Sequence, residues 1–317
     1  MTRDAAAVKS PAGRRAGSVD GSGLESQPVD DCDALWLRCL EISRLRRQGL
    51  PPPTTRAGGS GLGWDARHGW QLTGQWSPAA HEMFDLYRPL LALQPGERYV
   101  LGHLGQSIDG RIATSAGDSC FINGQQNLVH MHRLRALCDA VVVGAGTVVA
   151  DDPQLTTRLV PGPHATRVVI DPSQRLTPAF RVCSDGRCPT LLARLPAQPT
   201  PARSRGPQQC GSAEVIAATP SASGIDLPAL LETLAARGLR VILVEGGGIT
   251  VSRFLEQKLL DRLQIAIAPM IIGSGRQGLQ LPEVLALDDC LRPSCRQRQM
   301  GPDVLWDLDL RAAPPCP

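Results

Sequence analysis

The chain is poor in aromatic residues, 3% of its 317 positions, which leaves little for the stacking platforms that hold single-stranded nucleic acid. An excess of charge of one sign is also missing: a formal net charge of +3 is spread along the sequence, so no polyanionic partner is expected. No apolar run approaches the length of a membrane span, so no membrane partner is expected. The ten cysteines include no C-x-x-C pair, which excludes a zinc nucleobase-deaminase site built on P-C-x-x-C with H-x-E. Scattered spacing reads instead as free thiols in a cytoplasmic protein. His130 and His132 make no metal pair, because residues two apart on a helix point to nearly opposite sides, and no metal is expected.

Three sections follow from composition. Residues 1–30 are rich in Ala, Ser, Gly and charge and read as a disordered tail, not a signal peptide. Residues 31–95 read as an accessory helical and linker segment. In it Leu35, Leu37, Leu40 and Ile42 give helical spacing over Asp33 to Gln48, a Pro-rich and Gly-rich stretch forms a flexible link, and a second helix is predicted near Pro78 to Leu93. Residues 96–312 alternate apolar strands with amphipathic helices. That pattern predicts an α/β domain with a mostly parallel twisted sheet, helices on both faces, and an antiparallel C-terminal edge at Asp303 to Leu310. Asn123 and Gln126 are expected to cap a helix whose inner face carries Leu128, Met131 and Leu134. Asp109, in Ile108-Asp-Gly-Arg111, reads as a turn former.

What is present in concentrated form is Val241-Ile-Leu-Val-Glu245-Gly-Gly-Gly248-Ile-Thr250. An apolar strand ends in a carboxylate, and three glycines then open a helix whose first N–H groups suit a phosphate. Glu245 beside an anion site costs energy unless another part of a ligand needs an acceptor there. A second glycine turn, Gly144-Ala-Gly146-Thr147, follows the strand Ala140 to Val143, and neither turn continues as G-x-G-x-x-G. A Rossmann dehydrogenase with Asp171 on a ribose therefore fits less well than a phosphate-binding α/β enzyme of another topology. Arg135 and Arg158 lie where two guanidiniums suit a sugar phosphate.

Seven blocks in order resemble the pyrimidine reductases of riboflavin biosynthesis, which occur as the C-terminal half of bifunctional deaminase-reductases and as standalone enzymes. The blocks run from Leu104-Gly-Gln-Ser-Ile-Asp-Gly-Arg-Ile-Ala113 and Gly117-Asp-Ser119 through Leu134-Arg-Ala136 and Gly144-Ala-Gly-Thr-Val-Val-Ala-Asp-Asp-Pro-Gln-Leu-Thr-Thr-Arg158. They continue with Val169-Ile-Asp-Pro172, Val244-Glu-Gly-Gly247 and Ala268-Pro-Met-Ile-Ile-Gly273. The resemblance, to the standalone form, covers about Tyr99 to Leu310. It implies a dihydrofolate-reductase-like fold, a homodimer, and NADPH-dependent reduction of the ribosyl group of an aminopyrimidine ribosylamino 5′-phosphate to ribityl.

By position, the resemblance implies that Gly105, Phe121, Thr147, Asp151, Pro172 and Gly247, Gly248, Ile249, Thr250, Val251 and Ser252 line the NADPH site. Ser119, Arg135, Leu155, Arg158 and Glu245 would hold the substrate, with Glu245 at the reacting centre as an orienting acceptor and not a general base. His103 stands where fused members commonly carry lysine, and Phe121 where many carry tryptophan. A non-catalytic nucleotide-binding relative, or a reductase of a related pyrimidine in a specialised pathway, is compatible with the same residues.

Overall fold

A computed structural model describes residues 31–51, 61–65, 69–119, 122–196 and 209–311. The expected tail, the link after α1 and Phe121 lie outside the described residues. Chain order begins α1 (Asp31–Arg47), β1 (Gly61–Asp65), β2 (Gly69–Thr73), α2 (Pro78–Leu91), β3 (Tyr99–Ser107), β4 (Arg111–Thr114), α3 (Gln125–Leu137), β5 (Ala140–Gly144) and α4 (Ala145–Asp151). It continues β6 (Thr166–Ile170), α5 (Arg181–Ser184), β7 (Thr190–Arg194), β8 (Gln209–Cys210), β9 (Ala213–Ala217), β10 (Pro220–Ser221), β11 (Gly224–Ile225) and α6 (Leu227–Ala236). The last elements are β12 (Val241–Glu245), α7 (Gly248–Glu256), β13 (Arg262–Ala268), β14 (Gly275–Gln277), β15 (Ser294–Met300) and β16 (Asp303–Asp309).

The central sheet has ten strands in the order β15-β16-β13-β3-β12-β5-β6-β7-β9-β8. From β13 to β9 every pairing is parallel, and antiparallel strands close both ends. The α/β architecture with an antiparallel C-terminal edge is thus as expected. Its outermost strand is β15, which pairs on one side with β16 and carries few apolar residues because an edge strand needs few. The run Val241–Val244 is buried on both faces, as its β-branched composition requires. One face packs α1, α2 and α3 residues such as Leu35, Phe84 and Leu137 against Leu101, Val141 and Leu243. The other packs α6 and α7 through Leu231, Leu234, Val251 and Phe254.

The front segment is docked firmly on the sheet domain. Leu35, Trp36, Cys39 and Ile42 of α1 belong to the same core as α3 and β5, whereas Leu37, expected inward, is 58% exposed. Guanidiniums of Arg46 and Arg47 donate to the carbonyls of Ala136, Leu137 and Cys138 and to Asp139. These are the orphan acceptors at the C-terminus of α3, where cations are favoured. Cap expectations for α3 fail at its other end. Gly124 is the N-cap, and its N–H donates to Asp303 Oδ2 on β16 at 2.7 Å. Asn123 is drawn away instead, donating from Nδ2 to Ala266 O at 3.3 Å. Leu128 and Met131 also depart from expectation: with Arg135 they face a cleft, while Leu134 faces the core. Asp109 is a turn former, accepting from Ser107 Oγ and from the N–H groups of Ile272 and Gly273.

Candidate active site

The carboxyl ends of β3, β12, β5 and β6 open into one cleft of about 840 Å³ beneath α3. Strand order reverses here, because β12 returns late in the chain between β3 and β5, and such switch points leave a crevice for ligands. Both glycine turns reach it. Gly144 is the N-cap of α4 and Gly247 the N-cap of α7, neither with a side-chain cap.

The two turns interlock. Thr147 Oγ1 accepts from Gly247 N–H at 2.9 Å, while a Cβ on Gly144 would fall 2.6 Å from Thr250 Oγ1. Each of the three glycines after β12 has a separate reason. Gly246 has φ +88°, and a Cβ on Gly248 would lie 1.8 Å from the carbonyl oxygen of Gly278. At Gly247 the only near neighbour of a Cβ is Thr147 Oγ1, at 3.0 Å.

Opposite the glycines, Glu245 is 3% exposed and bound side-on by Arg135 of α3, whose Nε and Nη2 reach both carboxylate oxygens at 3.0–3.2 Å. Arg135, expected beside a carboxylate or phosphate, has its fork on Glu245, with Nη1 3.4 Å from Thr156 O. This pairing satisfies a buried carboxylate that would otherwise be costly. The connection Asp151 to Arg158 bends through left-handed backbone at Asp152 (φ 39°) and Leu155 (φ 53°). For a leucine that conformation is uncommon, and Leu155 is buried against the cleft.

Of the expected residues, Gly105, Ser119, Arg135, Thr147, Asp151, Leu155, Pro172, Glu245, Gly247, Gly248, Ile249 and Thr250 line this one cleft. Ser119 Oγ donates to Asp151 Oδ1 at 3.1 Å, tying the two expected ligand sides together. Val251 and Ser252 do not reach it. The first is a core residue, and Ser252 Oγ accepts from Gln280 N–H, because the second turn-half of α7 rotates inward. Arg158 lies outside the lining, its Nη1 donating to Thr156 Oγ1 and its N–H to His132 Nδ1. Burial and the like charges of Arg135, Arg187 and Arg181 push its pKa down, an arrangement that an anion would relieve. Asp171, the ribose ligand of the Rossmann reading, is buried and accepts from Arg194 and from the Arg175 and Leu176 N–H groups.

Sequence reasoning missed Arg175, Arg253 and Arg276, all of which line the cleft. Arg253 lies one helical turn after Ile249, a spacing that marks the same face of α7. Arg175 follows the strand end of β6, the usual place for ligand contacts in such sheets. Asn127 was missed as well; its Oδ1 lies 3.2 Å from His103 Nε2 inside the cleft. Among the described residues no His/Cys/Asp/Glu group is placed to hold a metal, and no helix is long and apolar enough to cross a membrane.

Residues 98–300 match the family described as the RibD C-terminal domain. The chain belongs to that family. It is 37% identical over 220 residues to a Methanothermobacter thermautotrophicus protein named 2,5-diamino-6-ribosylamino-4(3H)-pyrimidinone 5′-phosphate reductase, a match covering 67% of this chain and 98% of that one. A protein of the same name from Archaeoglobus fulgidus is 32% identical over 185 residues, covering 55% of this chain and 82% of that one. Among solved structures, a bifunctional deaminase/5-amino-6-(5-phosphoribosylamino)uracil reductase from Thermotoga maritima has the same fold at a TM-score of 0.57 and 23% identity. That likeness covers 73% of this chain and 62% of the Thermotoga chain, so the chain spans less than two thirds of it. The Acinetobacter baumannii RibD structure is similar to the same degree, with a TM-score of 0.58, 24% identity, and coverage of 73% and 63%. The fold is dihydrofolate-reductase-like, as the family resemblance implied. The family match begins at residue 98, after α1, β1, β2 and α2.

Proposed function

We propose that the protein is an NADPH-dependent reductase of riboflavin biosynthesis, converting the ribosyl group of an aminopyrimidine ribosylamino 5′-phosphate to ribityl. The observation that carries this reading is the division of one cleft into a glycine side and a carboxylate side, in a chain whose archaeal relatives are named for that reduction. The glycine side fits a phosphate-bearing dinucleotide. A side chain at Gly247 would intrude on the cradle, Thr147 takes only the N–H of Gly247, and the Gly248 and Ile249 N–H groups pair with no acceptor among the described residues. Arg175 and Arg253 add guanidiniums without an ion pair among the described residues, which suits NADPH and its extra phosphate over NADH.

When bound, the dinucleotide would supply the hydride for C1′ of the open-chain imine, whose protonated nitrogen then ends as a secondary amine. The protein's own work is alignment. Glu245, held by Arg135, offers its remaining lone pairs to N–H donors of the pyrimidine. Leu155 supplies an apolar wall at the cleft, and Arg158 receives the 5′-phosphate at its edge. No disulfide joins the described cysteines, in keeping with a reducing cytoplasm. A homodimer that covers residues 271–291 would bury the exposed Ile271, Leu281, Val284, Leu285, Leu287 and Leu291.

Complementation of a riboflavin auxotroph lacking only the reductase tests the reading. Growth with the wild-type chain and its loss with Glu245→Ala is the expected outcome. Failure to grow despite soluble expression would count against it, and growth with both would separate the activity from this site.

A further inference from the structure

Behind the cleft a closed circuit of buried hydrogen bonds joins α2, α3, β13 and β16, and it starts on α2, ahead of the matched residues 98–300. Tyr87 OH and Nδ1 of His130 on α3 lie 2.8 Å apart, and His130 Nε2 lies 2.8 Å from Gln264 Oε1 on β13. Gln264 Nε2 donates to Asp307 Oδ1 on β16 at 3.3 Å. Asp307 also accepts from Arg262 of β13, whose Nη1 returns to α2 at Leu86 O, 3.4 Å away. Tyr87, His130, Gln264, Asp307 and Arg262 are all buried.

The circuit has one polarity. A carboxylate paired with a guanidinium only accepts, so Gln264 turns its amide N–H toward Asp307 and its amide oxygen toward His130. That oxygen also only accepts, so His130 carries its ring proton on Nε2 and a lone pair on Nδ1. The Tyr87 hydroxyl therefore donates to Nδ1. Burial agrees with this, pushing the Tyr87 phenol pKa up and the His130 imidazole down to about 4, so the one keeps its proton and the other stays neutral.

From His130 the circuit reaches the cleft. Its ring packs on His103 at 5.7 Å between centroids, and His103 Nε2 lies 3.2 Å from Oδ1 of Asn127, one turn before His130 on α3. His103 and Asn127 both line the cleft, and Gln264 stands in register with His103 on the neighbouring strand. On its other side Tyr87 packs against Trp36 of α1, with centroids 5.9 Å apart. We propose that Tyr87 is a positioning residue for the reduction: its hydroxyl fixes the His130 ring, and through it the His103 ring on the cleft wall, in the arrangement on which alignment of the two ligands depends. Tyr87 touches neither ligand. Arg135 keeps its own anchor on Glu245, so loosening the wall should leave binding in place and disturb the approach of the reacting atoms.

The inference rests on the reductase reading, and its test separates the two. Tyr87→Phe in the full chain removes the hydroxyl and keeps the ring. With wild type turning over a verified aminopyrimidine ribosylamino 5′-phosphate, Tyr87→Phe should lower kcat about tenfold and leave KM for the pyrimidine and for NADPH within about twofold. His130→Gln should show a similar loss, and the double variant no further one, because the two residues act in series. Nitrogen NMR of the histidine rings, assigned by the signals lost in His130→Gln and His103→Gln, supplies a readout besides activity. Wild-type His130 should be protonated on Nε2 and hydrogen-bonded at Nδ1, and the signals of both His130 and His103 should move in Tyr87→Phe. An unchanged kcat in Tyr87→Phe, even with a lower melting temperature, would make the tyrosine a support of the fold and overturn its role at the cleft. Losses that multiply in the double variant, or a proton on Nδ1 of wild-type His130, would overturn it as well. A wild-type chain inactive on the pyrimidine would overturn the reductase reading, and this inference with it.

Discussion

Arg262 and Asp307 pair across β13 and β16, with Leu86 O as a further acceptor for the guanidinium and Gln264 donating to the carboxylate. Arg135 and Glu245 pair on the same side of the sheet, between α3 and the end of β12. Both carboxylates are about 3% exposed, yet their surroundings differ. The first pair is closed by protein on every side that the hydrogen bonds define, whereas the second borders an open cleft. A buried ion pair is weak evidence of stability and a poor guide to function by itself. What separates these two is whether lone pairs are left for a ligand.

The largest expected effect breaks the closed pair. Asp307→Ala strands a buried guanidinium and should cost about 3–5 kcal/mol in denaturant unfolding, with KM for the pyrimidine unchanged in the folded fraction. A loss of substrate affinity with little change in stability would reverse the assignment of the two pairs.

Glu245→Gln keeps one acceptor for Arg135 but turns the other toward donors. It should lower kcat/KM for the pyrimidine by about 10- to 100-fold, the worth of a charge-assisted hydrogen bond, while chemical denaturation shows a smaller change than Asp307→Ala. Steady-state kinetics with each ligand varied in turn checks this, because NADPH binding should persist.

Arg158 sharpens the comparison further, as a cation three residues after the cleft-lining Leu155 with no ion pair among the described residues. Arg158→Ala should raise KM for the pyrimidine phosphate about 10-fold and leave KM for NADPH alone. Equal effects on both ligands would make its role structural.

A further test is the pH dependence of the support behind the cleft. Burial depresses His130 to about 4, as it does His132, and His103 to about 3, whereas unfolded histidine titrates near 6.5. The unfolded chain therefore binds more protons in this window. Stability is fully present above about pH 6.5 and declines as pH falls toward 4. Melting temperatures across that range should drop, and by less in a His130→Gln variant. An unchanged slope in that variant would contradict neutral burial of His130.

Much of this was legible in sequence wherever local rules suffice. Val241–Val244 followed by Gly-Gly-Gly announces a buried strand and a helix start, and twelve of the expected ligand positions do line one cleft. What stayed illegible depends on distant partners. Arg135 meets Glu245 across 110 residues, and Asp303 accepts from the N-cap Gly124 across 179. Arg46 and Arg47 dock the front helix on carbonyls about ninety residues away. Strand β15, Ser-Cys-Arg-Gln-Arg-Gln-Met, lacks alternation because only one of its edges is paired. Val251 and Ser252 show the limit of carrying positions over as a run: a helix turns each successive side chain by about 100°, so consecutive residues cannot all face one ligand.

The central claim meets its most direct test in single-turnover incubation of the purified chain with NADPH and each of two substrates, the diaminopyrimidinone and the aminouracil ribosylamino 5′-phosphates. The account predicts that one of them gains two hydrogens by mass as NADPH is consumed in equal amount, that the gain lies in the sugar, and that Glu245→Gln slows this step while still binding NADPH. NADPH bound tightly with no product from either pyrimidine, or hydrogen delivered to the ring instead of C1′, would contradict it.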